Sequence, residues 1–277
     1  MSWTDVYPVF TEELLDEDHE SATLPEKAQM EEWYGTERII NPKPDKREIV
    51  SVSLFWKNVR AGDPELPPPT KELLQNAVEL GHAERFNPWD HYVLPLLEKT
   101  PGILEAHPEV TVRVYLANDL EFLVDELVAA GNEVHLMKSS SIKFAPGGLW
   151  RFLPFSEAGK LVTVTDTDRL NQLESDLIRT RAMAQSGVGA WRVPVPVDLT
   201  SDFRVCYLPF MGCQFGVAGG IFDVRELLDA FTWQCLVTTH DDGHRVLHVG
   251  KSCQRGRLFP GRFLLWASFP GRRAERS

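Results

Sequence analysis

The chain predicts an α/β/α sandwich around a mostly parallel central sheet, and three observations carry that prediction. The first is a β-rich run, Thr111-Val112-Arg113-Val114-Tyr115-Leu116-Ala117, followed by a helical stripe and a second β-rich run, Glu133-Val134-His135-Leu136-Met137. Such a β-α-β unit implies parallel pairing through a right-handed crossover. The second is Glu48-Ile49-Val50-Ser51-Val52-Ser53-Leu54-Phe55-Trp56, apolar and β-branched, ahead of that unit. The third is a later apolar run, Lys160-Leu161-Val162-Thr163-Val164, that ends in Thr165-Asp166-Thr167-Asp168. Strands near 49–55, 111–117, 133–138 and 160–165 are therefore expected side by side in one sheet.

Helices fill the intervals. Thr70 to Leu80 reads as a helix stopped by Gly81. Between the second and third strands, Leu120, Leu123, Val124, Leu127 and Val128 form an apolar stripe. Asn118 stands at its cap, Glu121 at the capping-box position, and Gly131 at its end. Pro146-Gly147-Gly148-Leu149-Trp150-Arg151-Phe152-Leu153-Pro154 reads as a short helix opened by glycines. Another helix starts near Leu170, with Leu173, Leu177 and Ile178 inward and Gly187 beyond its end. Gly189 to Val195 is a short strand. A glycine-dense segment, Pro209 to Gly220, precedes a helix opened by Asp223 and Glu226.

Three regions follow from composition. Residues 1–47 are acidic, then rich in Pro and Lys, and Trp33 and Tyr34 suit an extension packed on the body. Residues 48–242 form the expected catalytic domain. Residues 243–277 form a basic tail with Arg245, Arg255, Arg257, Arg262, Arg272, Arg273 and Arg276, and Glu275 as its one acid. The net charge of −11 argues against a nucleic-acid polymer as partner, which calls for a basic face. The four cysteines lack the paired spacing of a zinc site and suit a reducing compartment. The acidic N-terminus shows no apolar signal core, and no apolar run approaches transmembrane length. A cytoplasmic location is the expectation.

The Asp-x-Asp segment is the most informative feature. In extended chain, residues i and i+2 project to one face, so Asp166 and Asp168 are placed to share one divalent cation. Hard oxygen ligands of this kind leave positions for water and substrate phosphate. The ends of parallel strands are also where open α/β sheets bind ligands. A polar strand-to-helix junction with a capping Asp accounts for the same residues equally well. Two close carboxylates without metal also repel, so neutralising one is expected to stabilise the metal-free protein slightly.

Alternating strands and helices with a central Asp-x-Asp resemble the GT-A class of nucleotide-sugar glycosyltransferases, a Rossmann-like fold, and its glycogenin-like and bacterial members in particular. Those members carry an aromatic-Arg-x-x-x-Pro helix before the motif strand. The counterpart here is Trp150-Arg151-Phe152-Leu153-Pro154, one residue shorter between Arg and Pro, followed by Leu161 to Arg169. The likeness spans residues 48 to 240. It implies a metal-dependent enzyme, with Mn2+ (or Mg2+), that takes a nucleotide-diphosphate sugar donor and an acceptor the sequence does not identify. A divalent ion bridging the leaving diphosphate stabilises the charge that grows in the transition state.

The resemblance assigns metal ligation to Asp168 and contact with ribose or metal-bound water to Asp166. It assigns Arg151 a donor-facing cation's role, against the alternative of a salt-bridged helix Arg. It offers His248, in His248-Val249-Gly250-Lys251, as a third ligand, although a tail His is more often a surface residue. His240, Asp241 and Asp242 form a second late cluster. Asp241 or Asp242 would serve as base in an inverting enzyme. Gln214 would stand near the anomeric carbon in a retaining one, or cap a backbone. Ser53, Phe55 and Trp56, after the first strand, are candidates for the nucleotide pocket, or core residues. Asn118 and Asp119 face the same expected edge. Two rivals stand beside this reading: a catalytically inactive GT-A-like scaffold, and a haloacid-dehalogenase-like phosphatase with the first Asp as nucleophile. Arg169-Leu170 after the motif departs from the phosphatase pattern.

Overall fold

A computed structural model describes residues 27–56, 69–77, 79–80, 85–141, 147–192 and 215–220. Helix α1 (Lys27–Tyr34) leads into β1 (Thr36–Ile40), and β2 (Glu48–Leu54) follows. Helix α2 (Lys71–Asn76), a two-residue hairpin pair β3 (Glu79–Leu80) and β4 (Arg85–Phe86), a π-helical turn (Trp89–Val93) and α3 (Leu94–Ala106) come next. Then β5 (Val110–Leu116), a 3-10 segment (Asn118–Leu123), α4 (Val124–Ala129) and β6 (Glu133–Met137) build the β-α-β unit. A second 3-10 segment (Gly147–Ser156), β7 (Leu161–Val164), a third (Thr167–Gln172) and α5 (Leu173–Gln185) complete the core, with β8 (Ala190–Arg192) and β9 (Phe215–Ala218) at one side.

The main sheet has seven strands in the order β1-β6-β5-β2-β7-β9-β8. Its four central strands, β6, β5, β2 and β7, are parallel. These are the four expected from the sequence, and they are neighbours. The flanks are not parallel: β1 runs against β6, β9 against β7, and β8 against β9. The fold is thus α/β with a mixed sheet and a parallel core.

The two faces of the sheet differ in chemistry. Side chains alternate along a strand, and in-register partners share a face. Ser51 pairs with Arg113 and Val164, and Ser53 with Tyr115. On this face Ser51 Oγ donates to the Arg151 carbonyl at 2.7 Å, so the 3-10 segment Gly147–Ser156 lies over it. Its buried Trp150, Phe152 and Phe155 seal it. The opposite face presents Val50, Val52, Val112 and Val114, all fully buried. Helix α5 covers it, with Thr163 and Thr180 hydroxyls 2.9 Å apart. Near-continuous burial along β2 and β5 follows from having both faces covered.

A polar cluster is buried on the first face. Arg113 Nε donates to Glu133 at 3.1 Å and its Nη1 to Glu157, while His135 Nε2 lies 2.9 Å from Glu133. Burial works to raise the Glu133 carboxyl, but the His135 bond and the Arg113 charge outweigh it and hold it below its usual range. Burial pushes the Tyr115 phenol well up, past the opposing effect of Arg113.

Several local expectations are corrected. Asn118 does not cap a helix: it is the first residue of a 3-10 turn, and its side chain donates to the Lys138 carbonyl at 2.6 Å. Glu121 forms no capping box and pairs with Arg38 instead. Ile178 is exposed, because the helical period turns Leu173, Leu177 and Thr180 inward. Residues 27–47 pack on the body as expected, with Tyr34 buried and the Trp33 carbonyl accepting from Trp150 Nε1 at 2.8 Å. They also supply β1, which the sequence had not indicated. Gly131, at φ +95°, ends the helix before β6 as expected.

Candidate functional site

Four parallel strands bring four loops to one edge. The core order places the chain's third, second, first and fourth core strands, β6, β5, β2 and β7, side by side. From β2 the chain moves to β5 and β6 on one side; from β7 it moves to β8 and β9 on the other. The order therefore reverses between β2 and β7, and ligands of open α/β sheets bind in the crevice at such a reversal. Phe55 and Trp56 leave β2 there, and Thr165 to Asp168 leave β7.

The Asp-x-Asp segment is half strand, half turn. Asp166 is extended, at φ −91° and ψ 152°, and Thr167, buried, opens the 3-10 turn. The turn sends the two carboxylates to different partners. Asp166 accepts from Arg151 Nη1. Asp168 Oδ2 lies 3.1 Å from His91 Nε2. Both carboxylates remain open, with side chains 32% and 31% exposed.

Arg151 owes its place to β2. Ser53 Oγ accepts from the Arg151 backbone N–H at 2.9 Å, while Ser51 Oγ donates to its carbonyl. The segment lies this close because Gly147 has no Cβ; one would stand 2.7 Å from the Phe55 ring. Phe55 also meets Trp150 edge-on, ring centroids 6.2 Å apart. Arg151 is buried, so it reaches the cleft through Asp166 and does not open to it directly. Ser53 is likewise a positioning residue for that segment.

Phe55 and Trp56 line a narrow apolar recess with Leu54, Leu74, Tyr92 and Leu120. The Trp56 backbone N–H donates to Ser141 Oγ at 2.9 Å, and Ser141 donates in turn to Asp119 through N–H and hydroxyl, at 3.0 and 2.8 Å. Burial pushes the Asp119 carboxyl above its usual range, although the two Ser141 bonds work the other way. Asp119 thus ties three of the edge loops together.

Sequence reasoning missed His91. It lies in the π-helical turn Trp89–Val93, anchored by Asn87, whose Oδ1 accepts from the N–H groups of Trp89 and Asp90 at 2.9 and 3.2 Å. Asn87-Pro88 before an apolar run is a helix-start signal, and it was the available clue. Of the remaining candidates, Gln214, His240, Asp241, Asp242, His248 and the tail 243–277 lie outside the described residues. Among the described residues, no group of three or more His, Cys, Asp or Glu side chains converges on a metal position, and no helix is long and apolar enough to cross a membrane. Compared with protein-family models, curated proteins and solved structures, the chain matched none.

Proposed function

We propose that the chain is a metal-dependent glycosyltransferase on a GT-A-like body, moving a sugar from a nucleotide-diphosphate donor to an acceptor. One observation carries the reading: the Asp-x-Asp segment leaves β7 at the reversal of strand order, beside the end of β2. That is where a parallel α/β sheet takes a nucleotide, and two open carboxylates there give it a cation's chemistry.

The donor set fits the ion this reading needs. Asp168 offers a carboxylate beside the His91 imidazole, and Asp166 has one oxygen engaged by Arg151. So few protein donors suit a hard divalent ion that keeps waters and takes substrate phosphates. When bound, Mn2+ (or Mg2+) supplies charge stabilisation for the departing diphosphate. Asp168 would hold it. Asp166, oriented by Arg151, would meet ribose or a metal-bound water. Phe55 and Trp56 would bound the base side of the donor, next to their apolar recess. A phosphatase reading would need Asp166 as a nucleophile, and its pairing with a buried guanidinium opposes that role.

The test is turnover. With Mn2+ and a panel of UDP and GDP sugars, release of nucleoside diphosphate is expected from the wild type and not from Asp168→Asn. Hydrolysis of a generic aryl phosphate without nucleotide-sugar turnover would replace this reading with the phosphatase one.

A further inference from the structure

We propose that His91 is a protein ligand of the divalent ion, completing with Asp168 a two-residue site built from chain segments 77 residues apart in number (168 less 91). The inference rests on the metal-dependent reading of the sheet edge. It departs from that reading's sequence expectation, in which the third ligand is the late His248.

The geometry has two parts. Donors at cis positions about 2.1–2.2 Å from an octahedral ion stand about 3.0 Å apart. His91 Nε2 and Asp168 Oδ2 stand 3.1 Å apart, close to that spacing. Both side chains are open to solvent, at 38% and 31%, which gives the ion and its waters a way in.

The second part is how His91 is held. A π-helical turn is wider than an α-turn and redirects the side chains it carries, and such turns concentrate at functional positions. Here the turn is fixed at its start. Asn87 caps its start, and the Lys71 ammonium lies 4.9 Å from the Trp89 ring centroid. The His91 backbone N–H donates to the Asn87 carbonyl at 2.9 Å, and the Tyr92 ring meets the imidazole edge-on at 4.7 Å. The 3-10 turn after Asp166 presents Asp168 from the C-terminal end of β7. An imidazole in the set also favours Mn2+ over Mg2+, which prefers oxygen donors throughout.

The experiment is pulsed EPR of Mn2+ bound to the full chain, with equilibrium binding of Mn2+ alone and with UDP. The wild type should show nitrogen coupling to the Mn2+ ion. His91→Ala should lose that coupling and bind Mn2+ at least tenfold more weakly, with an unchanged circular dichroism spectrum. Bound Mn2+ without nitrogen coupling in the wild type overturns the proposal and leaves the glycosyltransferase reading standing. Coupling that persists in His91→Ala overturns it in favour of another histidine. Absence of Mn2+ binding, with or without UDP, overturns both. Coupling through His91 in a protein that turns over no nucleotide sugar upholds the site and removes the donor. Where His91→Ala folds poorly, His91→Gln, which keeps a polar side chain but has no imidazole nitrogen, takes its place with the same two outcomes.

Discussion

The buried guanidinium of Arg151 donates to the carboxylate of Asp166, the first acid of the Asp-x-Asp segment. This pairing reverses what repulsion between two neighbouring acids would imply for the metal-free protein. Asp166 thus has a cationic partner of its own without a metal, while Asp168 lies beside the His91 imidazole. Asp166→Asn replaces a charge-assisted bond to a buried cation with a neutral one. It should destabilise the metal-free protein by about 1–2 kcal/mol. Urea unfolding in the presence of chelator measures this, and an equal or higher stability for Asp166→Asn would count against the pairing.

Two buried carboxylates should respond to pH with opposite signs. Glu133 is held below its usual range, so its stabilising contribution is present above the unfolded-state value and is lost as pH falls through the folded one. Asp176 is pushed up by burial, with Arg179 only partly opposing it, and its Oδ2 is buried without a hydrogen-bond partner among the described residues. Its contribution is present below the unfolded-state value and is lost as pH rises through the folded one. Glu133→Gln should therefore lose stability at neutral pH and show a shallower acid limb. Asp176→Asn should gain on the wild type as pH rises from 3 to 7. Unfolding midpoints across that range test both, and parallel curves for wild type and variants would refute the assignment.

Gly216 in β9 is a packing requirement. A Cβ there would collide with the Trp191 indole and the Thr180 hydroxyl. Those two groups are hydrogen-bonded at 2.9 Å, and Thr180 also reaches Thr163 of β7. Gly216→Ala should cost about 1–3 kcal/mol by overpacking, read as a lowered midpoint in thermal unfolding. An unchanged midpoint would mean that β9 does not pack on Trp191 as described.

The parallel core was legible because its strands are buried on both faces and read as apolar, β-branched runs, as at Ile49 to Leu54 and Val110 to Leu116. Edge strand β1 was not. In Thr36-Glu37-Arg38-Ile39-Ile40 the three middle residues are exposed, Ile39 included, so no alternation marks a buried side. The Asp-x-Asp position was legible from its place after an apolar run. Its pairing was not, because Arg151 and His91 reach it from other parts of the chain. Local spacing also favoured a capped helix at Asn118, and tertiary bonds to Lys138 and Ser140 took that side chain instead.

The most direct test of the central claim is nucleotide-diphosphate binding by calorimetry, with and without Mn2+, in the wild type and in Asp168→Asn. The Asp168–His91 pair is partly solvent-exposed, and losing it should cost only about 0–1 kcal/mol, so the variant remains folded for comparison. UDP or GDP should bind the wild type in a Mn2+-dependent way, and Asp168→Asn should lose that dependence while keeping its circular dichroism spectrum. Equal binding of nucleotide and Mn2+ by both proteins would contradict it.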